Sequence, residues 1–177
     1  VARETAVLFD RSLSIPNVDP QEESTSITDL SDLDVQCPNL CPRYVARVIR
    51  GVTIKPSPDW IQRRLDSLGV AIVNNVVDIT NYVLLECGQP LHAFDYQKLD
   101  ENRIVVRQAC SDEKLVAINQ RSYDLDPGMC VIADAGRPVA IAGIMGGLQT
   151  EVSEETTDLL IESAIFDPLA VRTPSRA

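Results

Sequence analysis

Hydrophobic positions change their spacing several times along the chain, and each spacing predicts a different element. Val1 to Phe9 has helical spacing. Ser14 through Asp34 is polar and acidic, with Pro16, Pro20, Glu22-Glu23, Asp29, Asp32 and Asp34; it predicts a surface connector with room for one short strand. Tyr44 to Ile54 is β-branched and partly alternating, a strand with a kink or bulge at Gly51. Ser57-Pro58-Asp59-Trp60 then opens a helix, with Ser57 as cap, Pro58 in the first position and Asp59 complementing the positive helix end. Ile61, Leu65 and Leu68 repeat at helical spacing, Gly69 ends the helix, and Trp60 is expected at the edge of the core. A second helix runs from Asn75, as cap, to Gly88, with Val76, Val77, Thr80, Val83 and Leu84 as one stripe. Pro90 cannot continue it.

Residues 103–166 read as antiparallel sheet. Short strands are expected at Arg103–Ala109, Lys114–Ile118, Arg121–Asp124, Cys130–Ala133 and Pro138–Ala142, separated by turn clusters such as Asp126-Pro127-Gly128 and Asp134-Ala135-Gly136. Thr157 to Ile165 gives a last strand, and Asp167-Pro168 starts a last helix that is still under way at Ala177. The fold class is α+β, with a mostly antiparallel or mixed sheet and a few flanking helices, as one domain or two small intertwined ones.

Composition narrows the function classes. The 177 residues hold 16 basic and 26 acidic side chains, a formal charge of −10, and 45% apolar residues. A chain of this size buries roughly 70% of its unfolded surface and needs no disulfide scaffold. No apolar run reaches the ~18–20 residues of a membrane span, so no membrane partner is expected. The opening at Val1 lacks a basic segment followed by an apolar one; no signal peptide is expected, and the start reads as a piece of something larger. Acidity argues against a broad grip on nucleic-acid phosphates, so any such contact is expected at the end of the polymer only. The cysteines are 37, 41, 87, 110 and 130. Cys37-Pro38-Asn39-Leu40-Cys41 has no second Cys/His pair to complete a tetrahedral zinc site, and the odd count points to reduced thiols in a cytoplasmic protein.

Four features hold candidate chemistry. Thr80-Asn81 lies on a mainly apolar helix face, where Thr80 either bonds back to its own helix or edges a pocket. His92 is the single histidine, in Gln89-Pro90-Leu91-His92-Ala93-Phe94-Asp95; it is either structural or a catalyst with Asp95 as its orienting carboxylate. Gly143-Ile144-Met145-Gly146-Gly147 lacks the Lys-Ser/Thr of a phosphate loop, which leaves a tight turn or a loop of backbone amides beside a ligand. Glu162, in Leu159-Leu160-Ile161-Glu162-Ser163-Ala164, faces either Leu160 and Ala164 in a buried setting or solvent; period-two counting leaves both open.

Taken in order, Cys41-Pro42-Arg43-Tyr44, Ser57-Pro58-x-Trp60, Asn75 through Val83, Glu86, Gly88 through Asp95, Gly143 through Gly147 and Glu162-Ser163-Ala164-x-Phe166-Asp167-Pro168 resemble the beta subunit of bacterial phenylalanyl-tRNA synthetase. The resemblance covers about Cys41 to Arg176. It departs at Ala71-Ile72, where the family usually has Arg-Pro. It implies a helix and acidic connector over residues 1–40 and an editing module over 41–177, the last helix being cut short.

In that family the module hydrolyses tyrosine wrongly esterified to the phenylalanine tRNA. By resemblance, Glu162 receives the tyrosyl hydroxyl. Gly146 lines the slot for the ring, within a loop that also includes Gly143 and Gly147. His92 and the Thr80-Asn81 pair surround the ester and terminal ribose as the catalytic residues, with His92, Thr80 or Asn81 positioning the attacking water, and Pro90 fixes the wall carrying His92. No metal and no cofactor is implied in this module, since ATP and magnesium serve the synthetic site elsewhere in the parent enzyme. The implied partners are the tRNA(Phe) acceptor end and the synthetase alpha subunit in a heterotetramer. The alternative is a non-catalytic structural module that packs against the alpha subunit or positions tRNA.

Overall fold

The computed structural model describes residues 1–15 and 18–172. Pro16 in the connector, and the last helix beyond Arg172, lie outside the described residues. In chain order the elements are α1 (Ala2–Leu8), β1 (Asp32–Val35), β2 (Arg43–Arg50), α2 (Asp59–Asp66), α3 (Asn75–Cys87), β3 (His92–Asp95), β4 (Arg103–Gln108), β5 (Lys114–Val116), β6 (Ser122–Asp124), β7 (Cys130–Ala133), β8 (Pro138–Ile141), β9 (Met145–Gly146), β10 (Asp158–Ile165) and α4 (Pro168–Arg172), with short 3-10 turns between some of them. The class is α+β.

The strands do not form the single antiparallel run expected over residues 103–166. They divide into a five-stranded sheet in the order β1-β4-β7-β8-β9, a three-stranded sheet β2-β10-β3 and the hairpin β5-β6. β1 runs parallel to β4, with Asp32 opposite Arg103 and Val35 opposite Val106. The last strand, β10, joins the earlier β2 and β3 instead, antiparallel to both.

One apolar cluster fills the space shared by the two larger sheets. The five-stranded sheet contributes Ile104, Val106, Cys130, Ile132, Val139 and Ala140; the three-stranded sheet contributes Tyr44, Phe94 and Leu160. Val131 and Ile141 turn the other way and pack with Leu115 and Leu125. Both faces of β7 and β8 are therefore covered, which is why their sequences read as continuous apolar runs rather than alternating ones.

Several local expectations change. The regular part of β2 stops at Arg50; Gly51 turns the backbone with φ 70°, and a single further bond runs from Val52 N–H to the Thr157 carbonyl (2.7 Å). The cap of α3 is Asn74, whose side chain accepts from Val76 N–H and Val77 N–H. Asn75 instead ties down the preceding loop, accepting from Lys55 N–H and donating to the Thr53 carbonyl. Ser57 makes no cap bond to α2; its hydroxyl donates to the fully buried Asp78 (2.5 Å), which also accepts from Val73 N–H. The buried residues of α3 are thus Val76 and Asp78 rather than the whole expected stripe, and Leu84 is exposed. Trp60 is half-exposed and packs edge-on against Tyr82, with the Arg64 guanidinium over both rings. Gly69 and Gly88 close α2 and α3 with φ of 72° and 77°, as expected.

Candidate functional site

The central strand of the three-stranded sheet decides the orientation that counting left open. On β10, Leu160 and Glu162 are buried and Ala164 packs on the same cluster, whereas Ile165 is exposed. Glu162 therefore faces the interior. Its cross-strand partners are Ala46 on β2 and His92 on β3. Directly opposed residues on adjacent strands share one face, so the imidazole and the carboxylate belong to the same surface of the sheet.

Glu162 is 6% exposed. Among the described residues no cation lies against it. Burial raises its carboxyl pKa to about 7, with a smaller opposing contribution from the Tyr44 hydroxyl, which donates to Oε2 at 2.8 Å. Tyr44 is itself held well above the ordinary tyrosine pKa by burial and by the adjacent carboxylate. Oε1 of Glu162 accepts no hydrogen bond from the described residues.

His92 opens β3, and its ring meets the Phe94 ring edge to face with centroids 4.4 Å apart. Desolvation by the surrounding protein lowers the imidazole pKa to about 4, so the ring is neutral near pH 7. Asp95 is not its orienting carboxylate. Three residues along a strand, it lies on the opposite face, where it accepts from the Thr156 hydroxyl (2.7 Å) and Gln97 N–H and pairs with Lys98.

Gly146, on the edge strand β9, lies against His92: a Cβ at this position would fall 2.4 Å from Cε1 and 2.7 Å from Nε2 of the ring. The missing side chain makes room for the imidazole. The other two loop glycines have different neighbours. A Cβ on Gly147 would stand 2.7 Å from the Val139 carbonyl oxygen, in the tight pairing of β9 with β8. Gly143 has φ 69° and lies beside Val171 and Phe166 at α4.

Thr80 donates to the Val77 carbonyl of its own helix at 2.8 Å, which is the local back-bond. Thr80 and Asn81 are half-buried in the middle of α3, and among the described residues no hydrogen bond joins them to His92 or Glu162. Pro90 is exposed in the turn that leads from α3 to β3. Its neighbour Gln89 fastens that turn to the site strand, donating to the Ala164 carbonyl at 3.3 Å. The structure thus brings His92, Gly146 and Glu162 together, leaves Gly143, Gly147 and Thr80 in contacts of their own, and joins Asn81 to none of the site residues by a hydrogen bond among the described residues. Tyr44 is the site residue that residue chemistry did not single out. The available signal was strand parity, because Tyr44, Ala46 and Val48 alternate inward along β2.

Two open clefts lie elsewhere. One of about 410 Å³ is lined by Gln97, Asp100, Asp134 and Arg137 among others; the other, about 780 Å³, runs between α1 and the end of α3. Among the described residues no group of His, Cys, Asp and Glu is arranged to hold a metal ion, and no helix is long and apolar enough to cross a membrane.

The profile of the B3/4 domain family matches residues 40–177. Phenylalanine–tRNA ligase beta subunits are among the similar curated proteins. That of Rhodopirellula baltica is 50% identical over 176 residues, 99% of this chain and 26% of the relative; that of Moorella thermoacetica is 51% identical over 176 residues, 99% of this chain and 22% of the relative. The chain thus spans about a quarter of the length of these relatives. A crystal structure of an N-terminal fragment of the phenylalanyl-tRNA synthetase beta subunit from Pyrococcus horikoshii aligns with a TM-score of 0.58 over 89% of this chain and 48% of that one; at 13% identity the likeness speaks for the fold alone. The chain belongs to the B3/4 domain family and, within it, is similar to the corresponding stretch of bacterial phenylalanine–tRNA ligase beta subunits.

Proposed function

We propose that this chain is the editing module of a phenylalanine–tRNA ligase, and that it hydrolyses the ester of tyrosine misattached to tRNA(Phe). The observation that carries the reading is Glu162: a carboxylate in an apolar interior, opposite a neutral histidine, with no cationic partner and one unbonded oxygen among the described residues. Such a group is costly to keep unless a ligand donor meets it. A tyrosyl hydroxyl is that donor. The unmodified phenyl ring of the correct product would leave the buried acceptor unmatched, a penalty of about 1–3 kcal/mol, or roughly fivefold to 150-fold in discrimination. Selection of this kind complements a synthetic site whose apolar pocket rejects an added hydroxyl poorly.

The chemistry asks little beyond positioning. Water attacks the ester carbonyl, the bond to the ribose oxygen breaks, and that oxygen takes up a proton as free tyrosine leaves. His92 is neutral near pH 7, so a ring nitrogen is available to accept a hydrogen bond from the attacking water. Its place against Gly146 and Phe94 holds the ring in one orientation. Thr80, Asn81 and Pro90 belong to the α3–β3 wall in this reading, and a hydroxyl or amine of the substrate assists the water. ATP and magnesium serve the synthetic site in the rest of the ligase, with the alpha subunit as partner in a heterotetramer.

The test uses the full ligase carrying this chain, with pre-formed Tyr-tRNA(Phe) and Phe-tRNA(Phe). Glu162→Ala is expected to abolish the preference for the tyrosyl ester, and His92→Ala to lower its hydrolysis at least tenfold while the fold survives. Unaltered rates and selectivity in both variants reject the reading. They would favour a non-catalytic scaffold, for which the exposed Val7, Leu8 and Phe9 at α1 offer a packing surface.

A further inference from the structure

The one hydrogen bond that the Glu162 carboxylate receives from the described protein comes from a phenol, that of Tyr44. The pairing is not the direct one across the strands. Ala46 stands opposite Glu162, and Tyr44 stands opposite Ala164. Tyr44 therefore reaches diagonally along β2, over two alanines too small to obstruct it, to place its hydroxyl on Oε2. Tyr44 is part of the main core cluster and is 8% exposed, so the side chain is largely withdrawn from bulk water. The protein thus already contains, on one carboxylate oxygen, the phenol–carboxylate contact that a tyrosyl substrate would make on the other.

We propose that Tyr44 is a specificity-determining positioning residue of this site: by occupying Oε2 of Glu162 it fixes the carboxylate and leaves Oε1 as the single acceptor for the para-hydroxyl of an aromatic aminoacyl ester. This rests on the editing reading and deepens it. Without the Tyr44 hydroxyl the carboxylate has two free oxygens, no fixed rotation and no donor favouring its charged form. Its charge is then lost at a higher pH. A neutral carboxyl penalises a bare phenyl ring less than a carboxylate does, because the desolvation left unmatched is smaller.

A pH profile isolates this behaviour. The titratable groups around Glu162 are Tyr44 on β2, Cys41 just before β2, His92 on β3 and Cys130 on β7. His92 loses its proton at about 4, Cys41 is pushed up to about 11, and Cys130 and Tyr44 are raised well above their ordinary values. Between pH 6 and 8.5, Glu162 is the group in this set that changes charge.

The experiment measures kcat/KM of the full ligase on pre-charged Tyr-tRNA(Phe) and Phe-tRNA(Phe) from pH 6 to 8.5, corrected for spontaneous hydrolysis, for wild type, Tyr44→Phe and Glu162→Gln. Tyr44→Phe is expected to lower the Tyr/Phe ratio about tenfold at pH 7 and to move the midpoint of its pH dependence upward, while Glu162→Gln removes that pH dependence. Should Tyr44→Phe fail to fold, as judged by its thermal midpoint, Tyr44→Met has the same expected outcome. If Glu162→Gln collapses the ratio but loss of the Tyr44 hydroxyl leaves ratio and midpoint unchanged, or slows both esters equally, the Tyr44 proposal is overturned and the editing reading stands. If wild type shows no preference that depends on Glu162, the editing reading itself falls.

Discussion

At the scale of single residues, Glu162 and His92 pull stability in opposite directions with pH. Glu162 has its pKa raised from 4.5 to about 7, so the folded state holds its proton more tightly than the unfolded chain does. Its contribution is fully present below the unfolded value and is lost as pH rises through the folded one. Integrated over that window the loss is on the order of 3 kcal/mol. His92 is the reverse case. Its pKa is lowered from 6.5 to about 4, so its contribution is present above 6.5 and lost as pH falls through 4. The windows overlap between about 4.5 and 6.5, where the two slopes largely cancel. Glu162→Gln should therefore unfold at higher denaturant than wild type at pH 8 and show no such gain at pH 4.5. Equal denaturation midpoints at both pH values would mean that the carboxylate is not held in an apolar interior. Gly146 makes a second residue-scale prediction. A methyl group there overlaps the imidazole at 2.4 Å, so Gly146→Ala must displace His92 or the β9 edge, at a cost of about 1–3 kcal/mol. Hydrolysis of the tyrosyl ester should fall with it. A crystal structure of the variant with His92 unmoved and full activity would contradict this.

At the scale of elements, the turn into α3 is held by buried polar groups rather than by apolar contact alone. Asp78 is fully buried and accepts from the Ser57 hydroxyl and from Val73 N–H, tying the start of α2 and the loop before α3 to the helix itself. Asp78→Ala leaves two donors without their acceptor and should cost about 2–4 kcal/mol by chemical denaturation. Asn74→Ala removes a cap alone and should cost about 1 kcal/mol; a larger loss for Asn74 than for Asp78 would reverse this hierarchy. The two positions also show what local sequence conveys and what it does not. The ends of α2 and α3 were readable because Gly69 and Gly88 supply the left-handed backbone a helix stop requires. The start of α3 was one residue off because Asn74 and Asn75 are equally good caps on composition, and a tertiary contact to Lys55 and Thr53 assigns the second asparagine elsewhere. Ser57 reads as a cap for the same reason, yet its partner lies 21 residues further on. For Glu162 the ambiguity was one of parity. A central strand flanked by β2 and β3 has apolar side chains on both faces, so alternation does not say which face meets the core.

At the scale of the whole molecule, residues 27–40 are stitched into the core despite their polar, acidic lead-in. β1 covers the edge of the five-stranded sheet in parallel register with β4, and Gln36 N–H continues the ladder to the Val106 carbonyl at 2.8 Å. The Ser31 hydroxyl donates to the Asn102 carbonyl at 2.6 Å, the Tyr96 hydroxyl bonds the Leu30 carbonyl, and the Leu40 carbonyl accepts from Asp167 N–H. Cys37 is buried, with its thiol 3.8 Å from that of Cys130, and Val35 and Leu40 pack on the same cluster. None of this is visible locally, because a parallel partner on β4 is distant in sequence and Asp32 and Asp34 resemble connector residues until Arg103 pairs with them. By contrast α1 buries no residue. A shortened chain beginning at residue 26 should therefore keep most of the stability of the 177-residue chain. One beginning at residue 41 loses three apolar side chains from the core and opens the β4 edge. At about 1.5–3 kcal/mol for each fully buried side chain, and less for the partly buried Val35 and Leu40, that second cut should cost roughly 3–6 kcal/mol and leave an unpaired strand that favours self-association. Thermal unfolding and sedimentation of the two shortened chains separate the cases, and equal midpoints with both chains monomeric would show that β1 is dispensable to the sheet that carries Gly146 against His92.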